Sequence, residues 1–171
     1  MDVCFDKAEQ EWAPLIGRFI VDFVMIEDSM LHVIQSNTRK LTEKEIKELD
    51  KFNVRVKCLR KIMKSYIRGE SDLKKFNQVM DKIKKLYDVR NLLAHNSLVL
   101  AYEQKPNNEM KVVGFQINGK KKDISINFDL LKKKSKELSA ERIKFVEHTM
   151  SYYDAEFELI KQAINPQNKL G

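Results

Sequence analysis

Apolar residues that recur every three or four positions are the feature that most constrains how this chain folds. Between Trp12 and Gln35 they form one stripe along the sequence: Leu15, Phe19, Phe23, Ile26, Met30, Val33 and Ile34. This spacing places them on one face of an α-helix, and a proline such as Pro14 is tolerated in a first turn. We therefore expect a long amphipathic first helix, which Asn37 and Thr38 interrupt.

The same periodicity predicts further helices. Thr42 and Glu45 form a capping box that opens a second helix to about Ile67, with buried positions at Ile46, Leu49, Val56, Leu59 and Met63. A third helix begins at Ser71 or Asp72 and reaches about His95, with core positions Leu73, Phe76, Met80, Ile83 and Tyr87. A short Lys-rich helix capped by Asp129 precedes a last long helix, which Ser139 opens. Its apolar positions are Ile143, Val146, Met150, Tyr153, Phe157 and Ile160.

Between the third and last long helices the sequence changes period. Residues 97–103, 111–117 and 123–128 are short β-rich runs, separated by the turn signals Pro106-Asn107-Asn108 and Asn118-Gly119. The expected fold class is therefore mainly α: a four- to five-helix up-and-down bundle with a small antiparallel β insertion at about 97–128. A length of 171 residues suits a single domain, 1–171, with a frayed tail at about 165–171.

The positive charge of the chain is concentrated in its middle. The net charge is +7, and residues 38–90 alone carry 17 basic and 8 acidic side chains. A basic surface attracts phosphate backbones, which favours an anionic partner such as nucleic acid. Lysine-rich helix faces are also commonly no more than solvated faces, so the charge leaves both interpretations open.

Several classes of protein are excluded by what the sequence lacks. Its five glycines are scattered singly, so it has no glycine-rich phosphate loop, and its three histidines lack the spacing of a zinc site. Cys4 and Cys58 form neither a metal-type pair nor a disulfide framework, and a buried helix cysteine is expected at Cys58. We therefore expect no cofactor and no metal. The chain also has no apolar run of about 20 residues and begins with acidic rather than basic side chains, so we expect a cytoplasmic protein without a membrane partner.

One polar constellation remains, Arg90-Asn91-Leu92-Leu93-Ala94-His95 at the end of the third helix. At 100° per residue, Arg90, Asn91 and His95 lie at about 0°, 100° and 140°, which is one arc of the helix. Arg90 also continues the apolar stripe, where a guanidinium is costly unless it is paired or faces a polar cleft. It either belongs to a functional cleft, or pairs with a buried acid such as Glu27 while His95 only caps the helix C-terminus.

This motif resembles the signature of the HEPN superfamily of helical domains. Its ribonuclease members carry Arg, four to six residues, then His, often with Asn after the Arg and Ala before the His. Ile26-Glu27 is similar to a hydrophobic-Glu pair in the family's first helix, which makes Glu27 a supporting residue. The resemblance implies a metal-independent endoribonuclease for single-stranded RNA, often a toxin or phage-defence effector. It also implies a homodimer with a shared cleft and, as a further partner, an antitoxin or other regulatory protein. Some toxin members carry a modified Tyr where this chain has Ser97, so regulation by that route is not expected.

The resemblance assigns catalysis to Arg90, Asn91 and His95. The basic faces that would hold the flanking RNA backbone contain Arg55, Lys57, Lys61, Lys64, Lys82, Lys84 and Lys85. Two alternatives need no catalysis: a HEPN-like helical module that binds a protein partner or a nucleotide, and a structural module whose basic faces are incidental.

Overall fold

The computed structural model describes residues 2–96, 98–104, 106, 110–118 and 125–164. Five α-helices span Asp2–Gln35 (α1), Glu43–Lys47 (α2), Phe52–Met63 (α3), Glu70–His95 (α4) and Phe128–Ile164 (α5), with a 3₁₀ turn at Thr38–Lys40. Three strands, Leu98–Gln104 (β1), Met110–Asn118 (β2) and Ser125–Asn127 (β3), lie between α4 and α5. The predicted fold class, mainly α with a small antiparallel insertion, is confirmed. The predicted tail at about 165–171 and the turn at Gly119 lie outside the described residues.

The contacts of the chain divide it into two compact units. Unit 1 comprises Met1–Val24 and Lys85–Ala140, and unit 2 comprises Met25–Lys84 and Glu141–Gly171. Three helices, α1, α4 and α5, therefore contribute one part to each unit.

Aromatic residues and the sheet form the core of unit 1. The rings of Phe19 and Phe23 are stacked with centroids 6.5 Å apart, and Trp12 packs against Phe128 at 5.4 Å. The sheet has the order β1-β2-β3, and both pairs of strands are antiparallel. Its buried side is defined by Ile117 and Ile126, which are direct partners across β2 and β3. Because side chains alternate across a strand, this pair places one side of the sheet on the core.

A buried asparagine organises the polar interior of unit 2. The Asn37 amide donates to the Tyr152 hydroxyl at 2.7 Å and to the Val33 carbonyl at 2.9 Å. Its Oδ1 accepts from the Tyr66 hydroxyl at 2.9 Å, and the two tyrosine rings meet edge to face. Asn37, predicted only to interrupt the first helix, therefore ties the end of α1 to α5 and to the segment after α3. A buried amide whose donors and acceptor are bonded favours one arrangement of the helices around it.

The predicted second helix, 42–67, is wrong as a continuous element. Helix α2 ends at Lys47 and α3 begins at Phe52. On one uninterrupted helix Ile46 and Phe52 would point about 120° apart. The break allows Phe52 to be buried while Ile46 is left 41 % exposed, which also corrects the predicted burial of Ile46.

The two predicted C-terminal helices are a single helix, α5. The predicted cap, Ser139, donates its hydroxyl to the buried Asp22 carboxylate at 2.7 Å instead of opening a new helix. No glycine or proline lies between Phe128 and Ile164, so the helix has no local reason to stop.

The buried face of α5 also differs from the apolar positions singled out in its sequence. Ile143, Val146 and Met150 are 56, 42 and 52 % exposed. The residues that pack inward are Phe145 and Tyr152, both fully buried, together with Thr149.

The capping box predicted at the start of the second helix is present and stabilises the short helix α2. The Thr42 hydroxyl accepts from the Glu45 backbone N–H at 3.2 Å, and Glu45 Oε2 accepts from the Thr42 backbone N–H at 2.9 Å. Lys61 Nζ lies 3.2 Å from the same carboxylate oxygen, which connects α2 to α3. The backbone hydrogen bond from Thr42, followed by the one from Lys61, lowers the pKa of Glu45 to about 2.

We predict that Glu45→Gln destabilises the protein at pH 7 and that the difference from the parent disappears in acid. A carboxyl whose pKa is depressed by folding stabilises the fold above its unfolded pKa near 4.5, and this contribution is lost as the pH falls through about 2. Thermal unfolding of the variant and of the parent, measured from pH 7 down to about pH 2, tests this prediction. Glu43→Gln, at a neighbouring exposed position, removes a charge from the same first turn without disturbing the capping box, and as the matched control it is expected to lower the midpoint less than Glu45→Gln does. Equal midpoints for Glu45→Gln and the parent at pH 7 would contradict the prediction.

Candidate functional site

The last turns of α4 carry the candidate site. The predicted stripe on this helix is confirmed at Phe76, Met80 and Ile83, which are fully buried, and Tyr87 is half-buried with its ring 5.9 Å from that of Phe23. The helix continues without a break to His95. Asn96 then donates its amide to the Leu92 carbonyl at 2.8 Å, which bonds one of the carbonyls left open at the helix end.

Arg90, Asn91 and His95 share one arc of this helix, as predicted from their spacing. Because α4 is regular to His95, the Cα atom of His95 lies about 7.5 Å further along the axis than that of Arg90 and is turned from it by about 140°. Arg90 and Asn91 are half-buried, and His95 is exposed. Arg90 Nη1 donates to Asn91 Oδ1 at 3.4 Å, so the amide side chain lies beside the guanidinium.

Two buried leucines hold this part of the helix in place. Leu92 and Leu93 are 7 and 8 % exposed, and on the helical wheel they lie on either side of the arc that carries the motif. Burial of these two side chains fixes the rotation of the helix end in unit 1. The polar arc between them is therefore a defined surface, with a cation at one end and an imidazole at the other.

Glu27 and Arg55 form an ion pair that is largely buried. Arg55 Nη2 lies 2.7 Å from Glu27 Oε1, and the two side chains are only 12 and 11 % exposed. Both residues were predicted to serve function, Glu27 as a supporting residue and Arg55 in RNA binding. Their contact gives each a structural role inside unit 2 and turns the Arg55 guanidinium toward the interior.

The other residues predicted to bind RNA fall into two groups: lysines that contact an acidic side chain, and exposed lysines. Lys57 and Lys61 both contact the Glu45 carboxylate, and Lys82 contacts Glu141 at 2.9 Å. Among the described residues, no ion pair is made by the three remaining candidates, which are exposed: Lys64, Lys84 and Lys85.

Glu141 is a buried acid in unit 2 that contacts two lysines. It is 3 % exposed and accepts from Lys82 at 2.9 Å and from Lys144 at 3.1 Å. Burial alone raises the pKa of Glu141, but the hydrogen bonds from the two lysines outweigh it, and the net shift of the pKa is downward. Lys82 therefore helps to hold a buried carboxylate, which competes with its predicted role in RNA binding.

A cavity of about 460 Å³ in unit 2 was not predicted from the sequence. Its lining includes Tyr66 and Arg68 from the segment before α4, Asp72 from the first turn of α4, and Glu147 and His148 from α5. The ring of His148 also packs against Phe76, edge to face at 5.8 Å. These residues come from segments about 75 positions apart in the sequence. No local sequence pattern therefore indicates the cavity.

Other kinds of site are not built by the described side chains. Within the described ranges, no group of three or more His, Cys, Asp or Glu side chains is arranged to hold a metal ion. Cys58 is fully buried, as predicted, and burial raises the pKa of its thiol, which disfavours the nucleophilic thiolate. None of the described helices has an apolar stretch long enough to cross a membrane.

Comparison with protein-family models, with curated proteins and with solved structures finds no match for this chain.

We predict that Arg55→Met lowers the free energy of unfolding by about 2 to 3 kcal/mol, because it leaves the shielded Glu27 carboxylate without the guanidinium that it now contacts. Chemical denaturation of the purified protein at neutral pH measures this. Lys64→Met removes an exposed cation just after α3 and is expected to change stability by less than about 0.5 kcal/mol. If the two variants had equal stability, Arg55 would have no structural role.

Proposed function

We propose that this chain is a metal-independent endoribonuclease that cleaves single-stranded RNA, with Arg90, Asn91 and His95 as its catalytic residues. The observation that carries the proposal is their common arc on a regular helix, flanked by buried leucines and ending in an exposed imidazole. The HEPN resemblance of the motif adds support, and with it comes the proposal of a toxin or phage-defence effector in the cytoplasm. On this proposal an antitoxin or another regulatory protein is a further partner.

Arg90 is proposed to bind the scissile phosphate. A guanidinium presents a planar fork of donors that matches two phosphate oxygens, and these oxygens gain charge as the phosphorus becomes five-coordinate. The Asn91 side chain beside it can then hold the ribose or the phosphate through its amide N–H groups, while its Oδ1 accepts from Arg90.

His95 is proposed to move the protons. The 2′-hydroxyl gives up its proton to a neutral imidazole and attacks the phosphorus, and the bond from phosphorus to the 5′-oxygen breaks. An imidazolium then protonates the departing 5′-oxygen, so the products are a 2′,3′-cyclic phosphate and a 5′-hydroxyl. A homodimer with a shared cleft would supply one imidazole for each proton transfer.

RNA is the substrate class because this chemistry needs a 2′-hydroxyl as the internal nucleophile. The exposed Lys64, Lys84 and Lys85 would attract the flanking backbone by charge alone. Interactions of this kind carry little sequence information, so we expect weak preference for particular bases.

We predict that His95→Ala lowers the rate of cleavage of an unstructured RNA by about 10³-fold, because it removes the acid and base. We expect Arg90→Lys to retain more activity than Arg90→Ala, since an ammonium keeps the charge but not the fork. The assay is run in EDTA, with the products resolved by their 2′,3′-cyclic phosphate ends. His32→Ala removes another exposed histidine, on α1, and is expected to cleave at the parental rate.

If His95→Ala and His32→Ala cleaved equally fast, any nuclease activity would reside elsewhere or in a contaminant. A parent protein that binds RNA but never cleaves it would instead favour a non-catalytic binding module.

We predict that Lys84→Ala combined with Lys85→Ala weakens binding of single-stranded RNA to a similar extent for all sequences. The dependence of log Kd on log salt should become shallower by about 0.7 for each phosphate that the variant no longer neutralises. Binding is measured in the His95→Ala background, so that the RNA stays intact. Lys57→Ala with Lys61→Ala is the matched control, because both ammonium groups already face the Glu45 carboxylate. An unchanged salt dependence after the first pair of substitutions would show that these lysines do not bind the backbone.

A further inference from the structure

The cavity in unit 2 is lined by two exposed side chains of opposite charge. Arg68 lies in the segment between α3 and α4, and Glu147 lies on α5. Within the part of the chain that the structure describes, neither of them makes an ion pair or a side-chain hydrogen bond. Because no ion pair joins them, their charged atoms are more than 4.0 Å apart. The cavity therefore offers a cation and an anion to the same bound molecule.

Two other polar side chains of the lining already have partners inside the protein. Asp72 accepts from Lys75 Nζ at 2.9 Å, and the Tyr66 hydroxyl donates to Asn37 Oδ1 at 2.9 Å. Tyr66 therefore contributes the carbon atoms of its ring to the cavity, and the half-buried Ile67 beside it adds an aliphatic side chain. This part of the lining is apolar. Sites for small molecules commonly combine such a wall with a few polar groups that fix the orientation of the ligand.

The signs of the charges restrict the class of ligand. A nucleotide phosphate carries up to about two negative charges, and in this cavity it would meet one guanidinium but the two carboxylates of Asp72 and Glu147. A ligand with only positive charge would be repelled by Arg68. A molecule with one charge of each sign can satisfy both Arg68 and Glu147. The charges thus favour a zwitterion.

A free α-amino acid has the groups that this lining can bind. The planar fork of donors on Arg68 matches the two oxygens of an α-carboxylate. The Glu147 carboxylate is an acceptor only and suits the three donors of an ammonium group. The ring of Tyr66 and the side chain of Ile67 would then contact an apolar side chain of the ligand. A cavity of about 460 Å³ has the size of a small-molecule site, for which about 300 to 1,000 Å³ is usual.

We propose that the cavity in unit 2 binds a free α-amino acid with an apolar side chain, its carboxylate on Arg68 and its ammonium group on Glu147. The inference goes beyond the ribonuclease proposal and does not rest on it, because the motif on α4 contributes no residue to the lining.

Isothermal titration calorimetry of the purified full chain tests the proposal with L-phenylalanine as the probe. We expect one site per chain with a Kd of about 1 mM or below. N-acetyl-L-phenylalanine lacks the ammonium group and L-phenylalanine amide lacks the carboxylate, so each should bind at least about tenfold more weakly. Glycine keeps both charges but has no side chain for the apolar wall, and it should also bind more weakly.

Two variants assign the two ends of the ligand. Arg68→Gln should bind L-phenylalanine about tenfold more weakly and should no longer distinguish it from its amide, because the partner of the carboxylate is gone. Glu147→Gln should likewise lose the distinction between the free and the acetylated amine. Both positions are exposed, so the helical circular dichroism should not change. Arg39→Gln and Glu43→Gln, at exposed positions outside the lining, are the matched controls and should bind as the parent does.

Any of four results would overturn the proposal. The parent does not bind L-phenylalanine at concentrations up to about 10 mM, or it binds the acetylated or amidated probe, or glycine, as tightly. Folded Arg68→Gln and Glu147→Gln proteins keep the parental selectivity among the probes. A mononucleotide, tested as AMP, binds at least as tightly as L-phenylalanine. RNA cleavage by Arg90 and His95 is assayed separately, and none of these results bears on it.

Discussion

Burial of one face of α4 is the constraint on which the candidate site depends. Phe76, Met80 and Ile83 are fully buried, and each contributes about 1.5 to 3 kcal/mol by leaving water. In unit 1, Leu86, Leu92 and Leu93 of the same helix are buried as well, and they set the rotation of the turns that carry the motif. Arg90 and His95 therefore take their directions from the buried leucines of their own helix turns. A site on such a helix keeps its geometry better than a site on a loop.

The sequence predicts the elements of this fold well and their ends less well, and the errors share a cause. The stripe of α4 and the capping box at Thr42 are local signals, and both are correct. Ser139 is also a good local signal for a helix start, yet its hydroxyl bonds the buried Asp22, which is 117 positions away in the chain. The break before Phe52 likewise serves tertiary burial of that ring. A local sequence pattern is therefore misleading where a residue that is distant in the sequence bonds or buries the side chain in question.

For the candidate site, too, local sequence patterns predict only what neighbouring residues determine. The motif at Arg90 and His95 is contiguous in sequence, so its arrangement on one helical arc could be predicted from spacing alone. The surrounding cations could not be sorted in this way, because their partners are distant: Arg55 is bonded to Glu27, and Lys82 to Glu141. An excess of lysines in the sequence therefore overstates the basic surface that RNA would meet. The number of lysines available to bind RNA depends on where the buried acidic side chains lie, and the net charge of +7 does not reveal this.

The apolar residues of α5 depend on tertiary contacts in the same way as these charges do. The spacing of Ile143, Val146 and Met150 establishes that they share a face, but it does not say what covers that face. In the structure, Phe145 and Tyr152 fill the interior instead, so α5 carries two apolar faces about a third of a turn apart. Both faces have steps of three and four positions, so the helical period alone does not determine which of them the protein buries, and the tertiary contacts of Phe145 and Tyr152 decide it.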